Sequence, residues 1–295
     1  MSPPPIRNAM SVDVEEWFQV QAFAGVIPRA GWDGLDTRVE ASTDRILTRF
    51  AEAGVRATFF ILGWVAERHP RLVRRIAAAG HEVASHGYGH ELVSNIGETR
   101  FRIDIRHARR LLEDVTGVAV RGYRAPTFSV GPAITPWAHR VLAEEGYAYS
   151  SSVFPVGHDL YGAPDAPRAP HRPDPAGVPE LPMTTLRLMG RNLPCAGGGW
   201  SRLAPYPLFR AALRRVNGAE HVPAVFYFHP WEVDPGQPRL AEAPVRARFR
   251  HYARQGSMER RITLLLRDFA WGRVDEVFAG AIADGVAPAA GAAAA

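Results

Sequence analysis

Two histidines, His86 and His90, stand four residues apart in the segment Ser85-His86-Gly87-Tyr88-Gly89-His90. On a helical turn that spacing brings both imidazoles to one side, where they can share one ion. A bare H-x-x-x-H is more often a pair of solvent-facing or capping histidines. Its position directly after a β-rich run, with Asp13 and Glu15 at the end of another, weights it toward a metal. Two imidazoles and one carboxylate leave positions open for water and substrate, as a catalytic site requires and a structural zinc site does not. Asp13 and Glu15 flank Val14, so in an extended run both point to one face. One can then ligate an ion while the other accepts a proton from water; either alone reads equally as a strand-end cap or an arginine partner. Arg124 and His229 also end β-rich runs.

These residues need elements to position them, and the chain alternates short β-like runs with amphipathic helices. The pattern predicts strands over 10–13, 57–62, 82–85, 120–124, 147–150 and 224–228. It predicts helices over 43–53, 65–79, 98–115, 136–145, 205–216 and 259–269, with Gly54 and Gly80 as stops. Strands alternating with helices over this length predict a parallel α/β fold, of which a barrel is the closed form. In such folds the C-terminal strand ends converge on one face, which would gather Asp13, Glu15, His86, Arg124 and His229. Residues 158–182, rich in Pro, Asp and Gly, read as a long ordered loop over one end of the sheet. Residues 1–9 read as an N-terminal extension, 10–285 as one catalytic domain, and 286–295 as a disordered Ala/Gly tail.

Composition narrows the classes. With 295 residues, 46% of them hydrophobic, the chain can bury a sizeable core and is far from the disordered class. A single cysteine, Cys195, excludes an internal disulfide and a Cys-rich zinc site, and reads as a small buried residue. The first ten residues have no apolar core, so no signal peptide is expected, and no stretch is apolar enough to span a bilayer. A cytoplasmic protein is expected. All positive side chains are Arg, with a net charge of +5. These arginines are spread along helices and loops and form no basic arm, so no nucleic-acid partner is expected.

With those residues in place, the chain resembles the polysaccharide deacetylase family (NodB homology, carbohydrate esterase family 4), and within it the subfamily found with exosortase and exopolysaccharide loci. The resembling segments are Ser11-Val12-Asp13-Val14-Glu15-Glu16-Trp17-Phe18, Arg56-Ala57-Thr58-Phe59-Phe60, the run from Gly80 to His90, and Arg121-Gly122-Tyr123-Arg124-Ala125-Pro126. Later come Ser151-Ser152-Val153-Phe154-Pro155, Gly190-Arg191-Asn192-Leu193-Pro194 with the Gly197 to Gly199 run, and Phe228-His229-Pro230-Trp231-Glu232.

The resemblance implies a distorted (β/α) barrel and metal-dependent removal of N-acetyl groups from hexosamine units of a polysaccharide or its lipid-linked precursor, in exopolysaccharide biosynthesis. It implies Asp13 as general base, Arg124 as the arginine that orients it, and His229 as general acid. His86 and His90 match the metal-binding histidines. The family's metal-binding acid usually follows the base directly; here that residue is Val14, and Glu15 is the replacement. The implied cofactor is a divalent ion, Zn2+ above all, with Co2+, Ni2+ or Fe2+ as alternatives. The implied partner is an N-acetylated glycan, met in the cytoplasm or at the inner-membrane surface. By the same resemblance the backbone N–H near Thr127 assists the oxyanion.

Trp200 is either a sugar platform on a flexible glycine lip or a core residue beside a tight turn. Trp231 shapes the acetyl pocket or braces the acid, and Tyr88 lines the cleft. The family often has Asp before the Ser-Ser pair to keep the acid histidine protonated; here that residue is Ser150, so Asp159 or Glu232 takes the role or His229 is a weaker acid. His81 and His158 lie near motifs, whereas His69, His107, His139, His171, His221 and His251 read as structural or surface residues. Two other readings remain: a related metal-dependent amidohydrolase acting on a non-glycan amide, and a catalytically impaired glycan-binding homologue.

Overall fold

The computed structural model describes residues 6–159 and 161–283; the 286–295 tail lies outside them. The centre of the fold is β1 (Arg7–Val14), buried from Asn8 onward. It pairs in parallel with β2 (Thr58–Ile61), which pairs with β3 (Glu82–Ser85), then β4 (Gly122–Tyr123) and β5 (Tyr149–Ser150). A hairpin of β6 (Thr185–Leu188) and β7 (Arg191–Pro194) stands apart. On the other side of β1, β8 (Val225–Phe228) pairs with Ala9–Val12; β9 (Ala270–Gly272) pairs with the start of β1, Arg7–Ala9. The result is a seven-stranded parallel sheet forming a distorted, incomplete (β/α) barrel in a single domain.

Period-2 alternation sorts the side chains of this sheet. Met10, Val12 and Val14 join the larger core beneath the helices, with Phe59, Ile61, Val83, Phe226 and Phe228. Ala9, Phe60, Ala84, Tyr149, Val225 and Tyr227 form the second core, inside the barrel. Ser11 and Asp13 continue the Ala9 phase, so β1 carries polar groups into the barrel interior at its C-terminal end.

The helices cover the outer face: α1 (Val39–Glu52), α2 (Gly63–Arg68), α3 (Pro70–Ala78), α4 (Val93–Thr116), α5 (Ala138–Glu144), α6 (Gly198–Leu203), α7 (Tyr206–Ala219), α8 (Val245–Tyr252) and α9 (Met258–Asp268). The expected 65–79 helix is two helices broken at His69 (φ −123°, ψ 51°). Pro70 has no N–H to donate and disfavours helical geometry in the residue before it. Gly97 (φ 71°, ψ 171°) interrupts α4, which leaves the regular stretch starting at Glu98, as expected.

β1 starts at Arg7, three residues before the expected strand and inside the expected extension. The reason is tertiary: Asn8 Oδ1 accepts from the Ala224 N–H at 2.7 Å and Asn217 Nδ2 at 2.8 Å, and Arg7 Nε donates to Trp271 O at 3.2 Å. The β6–β7 hairpin was not expected. Its turn residues Met189 and Gly190 both have positive φ, 48° and 76°, the geometry of a tight two-residue hairpin usually supplied by Asn-Gly. Between β5 and β6 the chain is irregular, as the 158–182 reading expected. It is tied to the sheet by Ser150 N–H to Pro179 O (2.9 Å) and Leu181 N–H to Ser150 O (2.8 Å).

Glu82, the first residue of β3, is a carboxyl inside this fold. It lies 2.5 Å from Thr58 Oγ1 and accepts from the Tyr149 hydroxyl at 2.9 Å. Burial, then the neighbouring Asp275, pushes its pKa up to about 8 from an ordinary 4.5. Between those values the folded chain holds a proton that the unfolded chain releases, so this group's contribution to stability falls as pH rises. Glu82→Gln removes the titration. Its stability relative to wild type should therefore rise steadily through that pH window in urea titrations, and a pH-independent difference would contradict the assignment.

Candidate active site

Five strand-end residues meet in one cleft of about 360 Å³ at the C-terminal edge of the sheet: Asp13, Glu15, His86, His90 and His229 line it together. Arg124 stands directly behind them, with no exposed surface. A guanidinium this deep must have its donors used. Nη1 donates to Asp13 Oδ1 at 2.6 Å and to Ser11 Oγ at 2.8 Å, Nε to Ser151 O at 3.0 Å, and Nη2 to Ser151 Oγ at 3.1 Å. Its face lies 4.0 Å from the Phe60 ring. Asp13 is thus fixed by a buried charge-assisted bond.

Glu15, His86 and His90 are all buried, and one ligand atom from each lies within 4.8 Å of the others. The histidines do not share a helical turn, contrary to expectation. Residues 86–92 form a loop between β3 and α4, bent at Gly87 (φ 73°) and His90 (φ 53°). A side chain at Gly87 would meet Asp104 Oδ2 at 2.8 Å, and the same oxygen accepts from the Tyr88 N–H. His86 Nδ1 bonds the Arg124 carbonyl at 2.9 Å, leaving Nε2 for the cluster. Burial pushes the His86 pKa down to about 4, so the ring is neutral, as a metal ligand must be. His90 Nε2 sits 2.7 Å from Glu15 Oε2. That carboxylate oxygen is buried without a well-formed hydrogen bond. Although burial opposes it, the charges of His90 and His229 hold the Glu15 carboxyl well below the usual range. An ionised carboxylate with an unspent oxygen beside two imidazoles fits a divalent cation.

His229 follows β8. Its Nδ1 bonds Glu232 Oε1 at 2.9 Å, and its N–H donates to the same oxygen at 3.1 Å. Against the lowering effect of burial, Glu15 and Glu232 together raise the His229 pKa to about 9. Glu232, fully buried, takes a second bond from Arg202 Nε at 2.8 Å. Of the two carboxylates considered beside Ser150, Asp159 pairs with His158 and Arg250, and Glu232 is the one on His229; Ser150 Oγ bonds Ser152 Oγ.

Trp231 braces this arrangement. Its ring stacks on His229 (4.8 Å, 15°) and on His251 (4.2 Å, 18°), and its Nε1 donates to Glu15 Oε1 at 3.0 Å. Thr127 and Trp200 also line the cleft, Thr127 with φ 54° and Trp200 with Nε1 3.3 Å from the Tyr161 hydroxyl. Tyr88 does not line it. Its ring packs over Gly63, whose missing Cβ would lie 2.6 Å away, and its hydroxyl bonds Glu67 at 2.8 Å on the outer side of the loop.

The glycine run before Trp200 is neither lip nor tight turn; it opens α6. A Cβ at Gly198 would fall 2.3 Å from Glu232 Oε1, and one at Gly197 2.9 Å from the Tyr227 ring. Residues on the cleft wall that were not foreseen include Arg202, His251, Tyr161 and Phe249. Arg202 carried no signal beyond one more arginine, and α8, which holds Phe249 and His251, shows no clear apolar period.

Residues 32–149 match the polysaccharide deacetylase family model, and residues 151–279 match a domain of unknown function, DUF3473. The first of these segments, about two fifths of the chain, is thus similar to the polysaccharide deacetylase family. His86, His90 and Arg124 fall in the first matched segment and His229 and Glu232 in the second, so both contribute to one cleft. The chain is 33% identical over 96 residues to a peptidoglycan-N-acetylglucosamine deacetylase of Bacillus cereus, covering 32% of this chain and 35% of the relative. It is 39% identical over 85 residues to a chitooligosaccharide deacetylase of Sinorhizobium fredii, covering 28% and 40%. The matches thus span two fifths or less of these relatives. Among solved structures, a Mycobacterium smegmatis protein described as a polysaccharide deacetylase superposes with a TM-score of 0.61 at 21% identity, over 98% of this chain and 95% of that one. An allantoinase superposes with a TM-score of 0.56 at 19% identity, over 95% and 94%. Both likenesses establish the fold.

The glycine geometry separates two neighbouring substitutions. Gly198→Ala must displace the Glu232 carboxylate from His229 and should lower both the melting temperature and any activity. Gly199→Ala meets nothing within 4 Å and should melt at or slightly above wild type, because Ala favours helix over Gly by about 1 kcal/mol. Equal behaviour of the two variants in thermal melts would contradict this packing.

Proposed function

We propose that the chain hydrolyses the N-acetyl amide of N-acetylhexosamine units in a glycan, releasing acetate, as a step in exopolysaccharide biosynthesis. The observation that carries the reading is the opposition, within one cleft, of a base-like pair and an acid-like pair around a candidate metal cluster. Asp13 with Arg124 is the first pair, His229 with Glu232 the second, and Glu15, His86 and His90 are the cluster.

A divalent cation held by Glu15, His86 and His90, zinc foremost, would polarise the acyl carbonyl and acidify the attacking water. Asp13 accepts the water proton, and the hydrogen bond from Arg124 holds its carboxylate aimed. Thr127 borders the cleft, and its backbone N–H would serve the developing oxyanion. His229, held protonated by Glu232, passes a proton from Nε2 to the departing nitrogen, which otherwise would leave as a strongly basic anion. With a cation neutralising Glu15, Glu232 is the carboxylate that sustains that charge. The aromatic face of Trp200 suits the C–H side of a pyranose ring, with Tyr161 bonded to its indole N–H, and Trp231 fixes Glu15 and His229.

Acetate release from N-acetylglucosamine oligomers tests the reading. Activity should disappear with a chelator and return with added divalent ion. Asp13→Asn should lower kcat by about 10²- to 10⁴-fold, and Glu232→Gln should lower kcat with little change in KM. No acetate from any acetylated glycan by the ion-loaded protein would overturn the glycan reading; release of ammonia or urea from small amides instead would favour a non-glycan amidohydrolase.

A further inference from the structure

The helix α8 reads Val-Arg-Ala-Arg-Phe-Arg-His-Tyr. Ala247 and His251, four apart, are its buried face, and His251 stacks on Trp231 and packs at a tilt against Phe23. Val245 and Phe249, also four apart, are left 71% and 62% exposed. Two large apolar side chains on neighbouring turns at this exposure form a patch.

The charge around them has one sign. Residues 239–254 contain Arg239, Arg246, Arg248, Arg250 and Arg254 against the single acid Glu242. Arg250 pairs with Asp159 at 3.0 Å and Arg239 lies over the Tyr252 ring. Among the described residues, Arg246, Arg248 and Arg254 have no ion-pair partner within 4 Å. Some arginines on other helices are paired, such as Arg75 with Glu40 and Asp44 or Arg102 with Glu144 and Glu145, while others are not; on α8 the unpaired ones flank an exposed apolar pair. The surface is also continuous with the cleft: Phe249 and Arg250 line its mouth, with Leu203 beside them, itself 38% exposed.

We propose that this face of α8 docks on an anionic phospholipid surface. Val245 and Phe249 enter the boundary between headgroups and acyl chains, and Arg246, Arg248 and Arg254 meet the lipid phosphates. A two-fold contact with a second copy would set the same arginine-rich segment against itself, so like charge opposes that occupant. Docked this way, the cleft mouth opens at the membrane. Taken with the deacetylase reading, on which this clause alone rests, the substrate is then a glycan anchored at that surface.

Co-sedimentation of the full chain with phosphatidylcholine vesicles, with and without phosphatidylglycerol, tests the docking. Binding should require the anionic lipid and weaken with salt, and Val245→Asp combined with Arg246→Glu should reduce it roughly tenfold or more. Met189→Asp, at an exposed apolar side chain elsewhere on the molecule (93% exposed), should bind as wild type does. The Val245/Arg246 variant should keep the wild-type rate on soluble N-acetylglucosamine oligomers.

The proposal is overturned by absence of binding to anionic vesicles at low salt, by equal binding of the Val245/Arg246 variant, or by loss of binding in Met189→Asp alone. Sedimentation showing a dimer that the Val245/Arg246 variant dissociates would also overturn it, in favour of self-association. A loss of soluble activity in that variant without a loss of vesicle binding would reassign the face to glycan contact. The vesicle measurement stands even if no acetate is released, so failure of the docking and failure of the deacetylase reading are separable.

Discussion

The buried ion pair between Arg124 and Asp13 is the constraint around which the rest is arranged. Arg124 has no exposed surface and Asp13 almost none. Removing one partner from such a pair typically costs about 3–5 kcal/mol, because the other charge is stranded. Satisfying the guanidinium takes groups from two other chain segments: Ser11 and Asp13 on β1, and the Ser151 carbonyl and hydroxyl just past β5. The Arg124 carbonyl in turn orients His86. One cation therefore couples the ends of β1, β3, β4 and β5. Those ends are brought side by side by the parallel order β5-β4-β3-β2-β1. The sheet order and the site geometry are two aspects of the same packing requirement.

The opposite wall obeys the same rule with different residues. Glu232 is buried with both oxygens engaged, by His229 on one side and Arg202 on the other. Arg202 is itself buried and spends its remaining donors on the carbonyls of Arg250, His251 and Ala253 at the end of α8. Gly198 supplies the space the carboxylate occupies. The acid-like histidine is thus held by a chain of fully satisfied charges running from α8 through α6 to the end of β8. Buried charges in such chains are stable only when every member is present.

Much of this was legible in the residues. Alternating apolar runs predicted the parallel α/β architecture, and the placement of Asp13, His86, Arg124 and His229 at strand ends predicted their convergence. What escaped had tertiary causes. Arg7 and Asn8 are polar, so no apolar pattern marks them as strand; their partners lie more than 200 residues away. Pro70 was visible, but the apolar period on both sides of it imitates one helix. The histidine pair converges through a glycine-bent loop where helical spacing would have done the same, so the pairing was readable while its backbone was not. Tyr88 sits within the histidine motif yet points outward, because motif membership fixes sequence position and leaves side-chain direction to local backbone torsion.

The arginines illustrate the same division between composition and place. A net charge of +5 carried entirely by Arg does not distinguish a binding surface from compositional bias. In the fold, most arginine roles are local and unrelated to one another. Arg124 and Arg202 are buried in the cleft walls, and Arg75, Arg102 and Arg106 are spent on surface pairs of small energetic worth. Where unpaired arginines adjoin exposed apolar side chains beside the cleft, as on α8, the surplus becomes a surface with a defined chemistry. Charge acquires direction through what stands next to it, and at α8 that direction is outward, beside the mouth of the cleft.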